Sequence, residues 1–214
     1  MKRGPVPKRD ARAGKVRIIA GRWRGSRLDV TDVDGLRPSS DRVRETLFNW
    51  LHGHVAGARC LDVFAGSGAL GLEAASRGAS EVVLIEADRR AVASLRATLE
   101  RLKTTQVELV AGDALAWLQR HPERQFDLVF VDPPFAANLQ QRALDAVLPW
   151  LADAALVYVE YPPGVPQPAL PGFETWRAGK TQETQFCVLR RNMSLPATSA
   201  PVTLQAPSGA DTKS

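Results

Sequence analysis

Cysteine is nearly absent from this 214-residue chain: Cys60 and Cys187 are the only two, and neither sits in a C-x-x-C or H-x-x-x-H spacing. That excludes a disulfide framework and a thiolate zinc site, and both thiols read as small buried hydrophobes. Histidine is as sparse. Of the three, His52 and His54 flank Gly53 at an expected helix end with no carboxylate or thiol beside them, so no metal is expected. No apolar run approaches the roughly 18 residues that a membrane-spanning helix needs, and the basic start Met1-Lys2-Arg3 is followed by no apolar stretch of the secretory type. The expectation is a cytoplasmic monomer with no membrane contact.

What the chain does have is a core and an uneven charge. With 44% apolar and 24% charged residues it has the composition of a globular domain of ordinary size. The net charge of +5 conceals an asymmetry: residues 1–27 carry ten Lys and Arg against the single acid Asp10, a local +9 that leaves the remainder at −4. A cationic arm on a mildly acidic body suits a polyanionic partner, because neutralising phosphates releases counterions and gives sequence-independent affinity.

Between the ends, short β-branched runs alternate with helical periods, the pattern of parallel βαβ construction. Strands are expected at 60–64, 81–86, 107–110, 126–131 and 155–160. Val92, Leu95, Leu99 and Leu102 form one apolar stripe of a helix between the second and third. Two further strand-like runs, 173–178 and 185–190, are joined by a Gly179-Lys180-Thr181 turn too short to hold a helix, and read as a closing antiparallel hairpin. Ahead of the alternating unit, runs 16–20 and 26–30 form a small basic hairpin bearing Arg17, Arg22, Arg24 and Arg27. A helix follows, capped near Pro38-Ser39-Ser40 and faced by Val43, Leu47, Trp50 and Leu51. The expected division is a disordered basic tail over 1–14, the hairpin and helix packed on the core over 15–53, the α/β unit over 54–191, and a disordered tail over 192–214, which has no aromatic residue.

The sharpest local feature is Asp62-Val63-Phe64-Ala65-Gly66-Ser67-Gly68-Ala69-Leu70-Gly71. The G-x-G-x-x-G spacing after a strand and before a helix lets a nucleotide-like ligand approach the backbone, and Glu86, twenty residues beyond Gly66, can accept from ribose hydroxyls. A dinucleotide would fit so far. Asp62 breaks the tie: an acid four residues before the first glycine repels a pyrophosphate but suits S-adenosylmethionine, which carries an ammonium and a sulfonium. Gly112-Asp113-Ala114 places a further acid at the same sheet edge, suited to the adenine amino group. At the end of the fourth strand, Asp132-Pro133-Pro134-Phe135 offers a rigid pair of acceptors, the Asp132 side chain and the Pro133 carbonyl, that can grip an amino group while Phe135 stacks an extruded base.

These motifs together resemble the class I methyltransferases that modify exocyclic amines. The flanks, Arg17-Ile18-Ile19-Ala20-Gly21 with Arg24-Gly25 and the block R-P-S-x-D-R-V-R-E-x-L-F-N over 37–49, resemble the RsmD family of guanine-N2 methyltransferases of bacterial 16S ribosomal RNA. The resemblance spans about residues 15–191. It implies a Rossmann-like α/β fold with a seven-stranded, mostly parallel sheet, and S-adenosylmethionine held by Asp62, Phe64, Ala65, Gly66, Gly68, Glu86, Asp113 and Ala114. Asp132, Pro133, Pro134 and Phe135 would hold the target guanine. Arg17, Arg22, Arg24, Arg27, Arg37 and Arg44 would face the RNA, presented in a small-subunit assembly particle, with Trp23 as a candidate stacking surface. Other functions share part of the pattern: methylation of adenine N6 in DNA or of another amine, NAD-dependent oxidoreduction, and RNA binding without chemistry.

Overall fold

A computed structural model describes residues 15–29, 41–135 and 139–192. The expected disordered tails therefore lie outside the described residues, apart from Asn192, whose N–H donates to the Gly172 carbonyl (2.8 Å). Arg37, the cap at 38–40 and residues 136–138 lie outside them as well.

A small antiparallel pair, β1 (Lys15–Arg17) and β2 (Arg27–Asp29), leads into α1 (Asp41–Trp50). There follow β3 (Arg59–Asp62), α2 (Ala69–Ser76), β4 (Glu81–Glu86), α3 (Arg89–Leu102), β5 (Val107–Ala111), α4 (Ala114–Leu118), β6 (Phe126–Val131), α5 (Gln140–Val147), β7 (Leu151–Tyr161), β8 (Phe173–Lys180) and β9 (Gln185–Arg191). The sheet order is β5-β4-β3-β6-β7-β9-β8, parallel through the first five and antiparallel across β7-β9-β8. The chain moves outward from β3 to β5 and then returns to the other side of β3 as β6. The topological switch point therefore falls between β3 and β6, where ligands of open α/β sheets settle.

Two apolar clusters cover the two faces of the sheet. One joins the hairpin (Val16, Ile18, Leu28), α1 (Leu47, Phe48) and α2 (Leu72, Ala74) to Cys60, Leu84 and Phe130; the other packs α4 and α5 on Leu61, Val83 and Val129. The apolar stripe of α3 turns Val92 and Leu95 inward, and the helix starts where Asp88 accepts from the N–H groups of Arg90 and Ala91.

Several boundaries differ from those expected. Strand β3 stops at Asp62 because Val63 and Phe64 already turn into the glycine loop. Strand β7 starts at Leu151, four residues early, since the 3-10 turn Leu148–Trp150 delivers the chain straight from α5 into the sheet. The closing turn is also displaced: β8 continues through Gly179 and Lys180, and the reversal lies at Thr181–Thr184, closed by the Thr181 N–H on the Thr184 carbonyl (2.8 Å). Gly179 stays in the strand because it faces Phe186. The ring occupies the space a side chain would need, 2.6 Å from an added Cβ.

The N-terminal hairpin is fastened to the C-terminal end of α2. All eight residues of that helix are buried, and its one charged residue, Glu73, accepts the N–H groups of Ile19 (2.6 Å) and Ala20 (3.0 Å). The Ser76 hydroxyl donates to the Ala20 carbonyl (2.6 Å) and accepts from the Trp23 N–H (2.9 Å), while the Ser76 carbonyl accepts from the Arg22 N–H (2.8 Å). Contact is so close at Gly21, with φ +80°, that an added Cβ would lie 1.9 Å from the Ser76 carbonyl oxygen.

Candidate functional site

The carboxyl edge of the sheet gathers the residues that the motifs single out. Asp62 ends β3 and is 1% exposed. Its Oδ2 accepts from the Gly71 N–H (2.9 Å), whereas its Oδ1 is buried with no hydrogen-bond partner. Burial, helped by repulsion from Glu86, raises this carboxyl to about 7 against the Gly71 and Phe64 N–H groups that hold it down. A desolvated carboxylate oxygen with nothing to accept from is costly by itself, and an ammonium group or other cationic donor relieves it.

The loop that follows is built from short backbone contacts. The Ala65 N–H donates to the Ile85 carbonyl (2.9 Å) and Gly68 N–H to the Ala65 carbonyl (2.6 Å). Gly66 and Gly68 both have positive φ, 54° and 77°. Gly71 is needed for a different reason: a Cβ there would stand 2.2 Å from Leu84 Cδ2 and 3.2 Å from Asp62 Oδ2. Glu86, at the tip of β4, holds the loop from the far side, accepting from the Gly66 N–H at Oε2 and the Asp88 N–H at Oε1, each at 2.7 Å. Phe64 is half-buried and Ala65 buried.

Asp113 is exposed after β5 and its Oδ1 caps α4 by accepting from the Ala116 N–H (2.8 Å), with Ala114 buried beneath it. It stands at the expected edge, but already serves the helix. Asp132 follows β6, the strand next to β3, and Phe130 two residues earlier pairs with Asp62. The glycine loop and Asp132-Pro133-Pro134-Phe135 thus leave adjacent parallel strands on either side of the switch point. Asp132, Pro134 and Phe135 are half-buried and Pro133 is buried.

Arg17, Arg22, Arg24 and Arg27 are all exposed on the hairpin. Two expectations for RNA contact need correction. Arg44 is fully buried: its guanidinium donates to the Arg17 carbonyl (2.9 Å) and Asp41 Oδ1 (2.7 Å) and stands 4.0 Å from Glu73 Oε2, so the hairpin lies between it and any phosphate. Trp23 is 8% exposed and its indole is spent on the core, which leaves no face for a base.

Sequence reasoning passed over a third group. Glu160 near the end of β7 is 3% exposed and accepts from the hydroxyls of Tyr158 (2.6 Å) and Thr184 (3.2 Å). The Tyr158 hydroxyl is pushed well above its ordinary range by burial, by Glu160 and by nearby Asp132. This network braces the strand beside Asp132. A single acid in the apolar run Leu156-Val157-Tyr158-Val159-Glu160-Tyr161 was the available signal, as was Glu73 in the apolar helix α2.

Comparison with known proteins bears on this arrangement. Residues 16–190 match the profile of the family described as "Conserved hypothetical protein 95". The ribosomal RNA small subunit methyltransferase D of Escherichia coli K12 is 49% identical over 150 residues, covering 69% of this chain and 75% of that protein. Its namesake in Haemophilus influenzae is 47% identical over 153 residues, covering 69% and 79%. The solved structure of the yhhF protein of Escherichia coli is 42% identical with a TM-score of 0.76, covering 83% of this chain and 98% of that one.

Proposed function

The chain belongs to the conserved hypothetical protein 95 family, that of ribosomal RNA small subunit methyltransferase D, and from that premise we propose that it transfers a methyl group from S-adenosylmethionine to the exocyclic N2 amine of one guanine in bacterial 16S ribosomal RNA. The observation that carries the reading is the pairing of β3 with β6, which brings Asp62, with a buried Oδ1 that has no hydrogen-bond partner, and Asp132-Pro133 to the carboxyl ends of adjacent parallel strands. When bound, S-adenosylmethionine supplies a methyl group made electrophilic by its sulfonium.

The residues of the chain do the rest by positioning. Asp62 would hold the cationic end of the cofactor, the glycine loop would leave room for it beside the backbone, and Glu86 would accept from its ribose hydroxyls. The guanine amine is a weak nucleophile because its lone pair is shared with the ring. The Asp132 carboxylate and Pro133 carbonyl accept its two hydrogens and favour a pyramidal nitrogen, with the lone pair facing the methyl. Phe135 stacks the extruded base. The extra proton leaves readily from the methylated amine, so no strong base is required.

Mass spectrometry of 16S ribosomal RNA from a strain lacking the protein tests the assignment. One N2-methylguanine is expected to be missing, and the purified protein with cofactor and small-subunit particles is expected to restore it. An unchanged modification pattern would overturn the reading.

The buried carboxyl predicts a pH dependence. In the free protein Asp62 holds its proton below about 7, whereas a cationic ligand needs the ionised form. Cofactor affinity is therefore expected to fall up to about tenfold per pH unit below 7 and to level off above it, with about one proton released on binding at pH 6. Calorimetry in two buffers of different ionisation enthalpy measures that proton, and Asp62→Asn should release none. A flat affinity from pH 6 to 8 would contradict the role given to Asp62.

A further inference from the structure

The carboxyl edge of the sheet also holds a cleft apart from the glycine loop and the Asp132-Pro133-Pro134-Phe135 motif. A cleft of about 620 Å³ opens between the first turns of α1 and the β8–β9 reversal, and its lining includes Arg42, Thr46, Lys180, Gln182, Glu183 and Phe186. Its size is that of small-ligand sites, about 300–1,000 Å³. Arg42 and Lys180 come from opposite walls, one from the helix and one from the hairpin. Both are exposed, and among the described residues neither is paired with a carboxylate. Phe186 makes a rigid floor, 3% exposed, stacked on Trp50 at 5.4 Å between ring centres and locked from behind by Gly179. The turn itself is stiff, because the Thr181 hydroxyl accepts the N–H groups of both Glu183 and Thr184 at 3.1 Å.

The position of the cleft is as informative as its charge. Gln185, the first residue of β9, pairs with Tyr161, the last of β7, and Thr184 reaches Glu160 across the same strand end. Strand β7 is in turn the parallel neighbour of β6, which delivers Asp132. The cleft therefore opens on the edge assigned to methyl transfer, two to three strand spacings or about 10–14 Å from Asp132 along the sheet.

We propose that this cleft takes the RNA strand next to the target guanine, with Arg42 and Lys180 holding phosphates from its two walls and the Gln182 amide facing the ribose 2′-hydroxyl or a base edge. The inference rests on the RNA methyltransferase reading and extends it. An enzyme that extrudes a base must hold the flanking backbone to keep it extruded, and none of the hairpin arginines lines this cleft among the described residues. Among the described residues that line it, Arg42 and Lys180 face one carboxylate, Glu183, a net positive charge.

Binding and catalysis separate this inference from the reading beneath it. Arg42→Ala/Lys180→Ala, both exposed, is expected to keep the wild-type melting temperature and cofactor affinity. Its Kd and KM for the RNA substrate should rise about tenfold with kcat at saturation retained, and the slope of log affinity against log salt should shrink by about 1.4, as two single-strand phosphate contacts require. Lys180→Arg on the Arg42-intact chain should bind as the wild type does. Unchanged affinity and slope in the double variant would overturn the cleft assignment. A wild-type chain that binds the RNA through this cleft yet transfers no methyl would sink the functional reading and leave the cleft standing.

Discussion

Asp132→Ala is expected to lower kcat by about 10²–10³ while leaving S-adenosylmethionine affinity within a few-fold of wild type. The magnitude is that of removing one preorganised polar group from a reacting centre. The selectivity follows from the sheet: Asp132 leaves β6, whereas the residues assigned to the cofactor leave β3, β4 and β5. Without the carboxylate, the Pro133 carbonyl still accepts one hydrogen of the amine, but nothing holds the second, and the lone pair falls back into the ring. Asp132→Asn retains one acceptor oxygen and should fall between alanine and wild type. Single-turnover transfer to small-subunit particles, with calorimetry of cofactor binding on the same preparations, measures both halves of the expectation. Full turnover by the alanine variant would remove Asp132 from the chemistry.

Glu73→Ala is expected to cost about 3–5 kcal/mol of stability, the range for breaking a buried charge pair by removing one partner. Glu73 is fully buried and serves four groups at once: two hairpin N–H groups, the Arg77 guanidinium at 2.6 Å and the Arg44 guanidinium at 4.0 Å. Alanine would leave the buried Arg44 guanidinium to Asp41 and the Arg17 carbonyl, with the carboxylate nearest its unbonded Nη1 gone, and free the two backbone donors. For a chain of this size the loss corresponds to a fall in melting temperature of about 10 °C. Glu73→Gln keeps an acceptor for the hairpin without the charge and should cost less. Urea unfolding gives the stability, and limited proteolysis between Arg17 and Arg27 reports whether the hairpin has come loose. A loss under about 1 kcal/mol would mean that the hairpin is held by its apolar residues alone.

Much of this architecture could be read from residue order. The alternation of strand and helix periods, the glycine loop after β3 and the acid at the tip of β4 are local patterns, and they stand where expected. What escaped depends on partners distant in sequence. Arg44 looks like a surface arginine because nothing within its own helix discloses that Glu73, twenty-nine residues on, draws it into the core. Trp23 sits among arginines that are exposed, yet Ser76 anchors its backbone and turns its ring inward. Gly179 carries the signature of a turn, and only the ring of Phe186 across the strand pair explains why it remains extended. Asp113 shows a different limit, since a carboxylate at a strand end can serve a ligand or cap a helix, and here it caps α4.

Helix α2 does more than fill the layer above the sheet. Its first residues follow the glycine loop and its last residues grip the basic hairpin, so eight residues, about 12 Å at 1.5 Å each, fix the separation between the site assigned to the methyl donor and the arginines. That makes the helix a ruler. A residue inserted into it would rotate the hairpin by about 100° around the helix axis, carrying Arg22, Arg24 and Arg27 away from any RNA whose guanine is still seated at Asp132. The choice of nucleotide would then be set partly by a length inside the protein, with every contact to the base left intact.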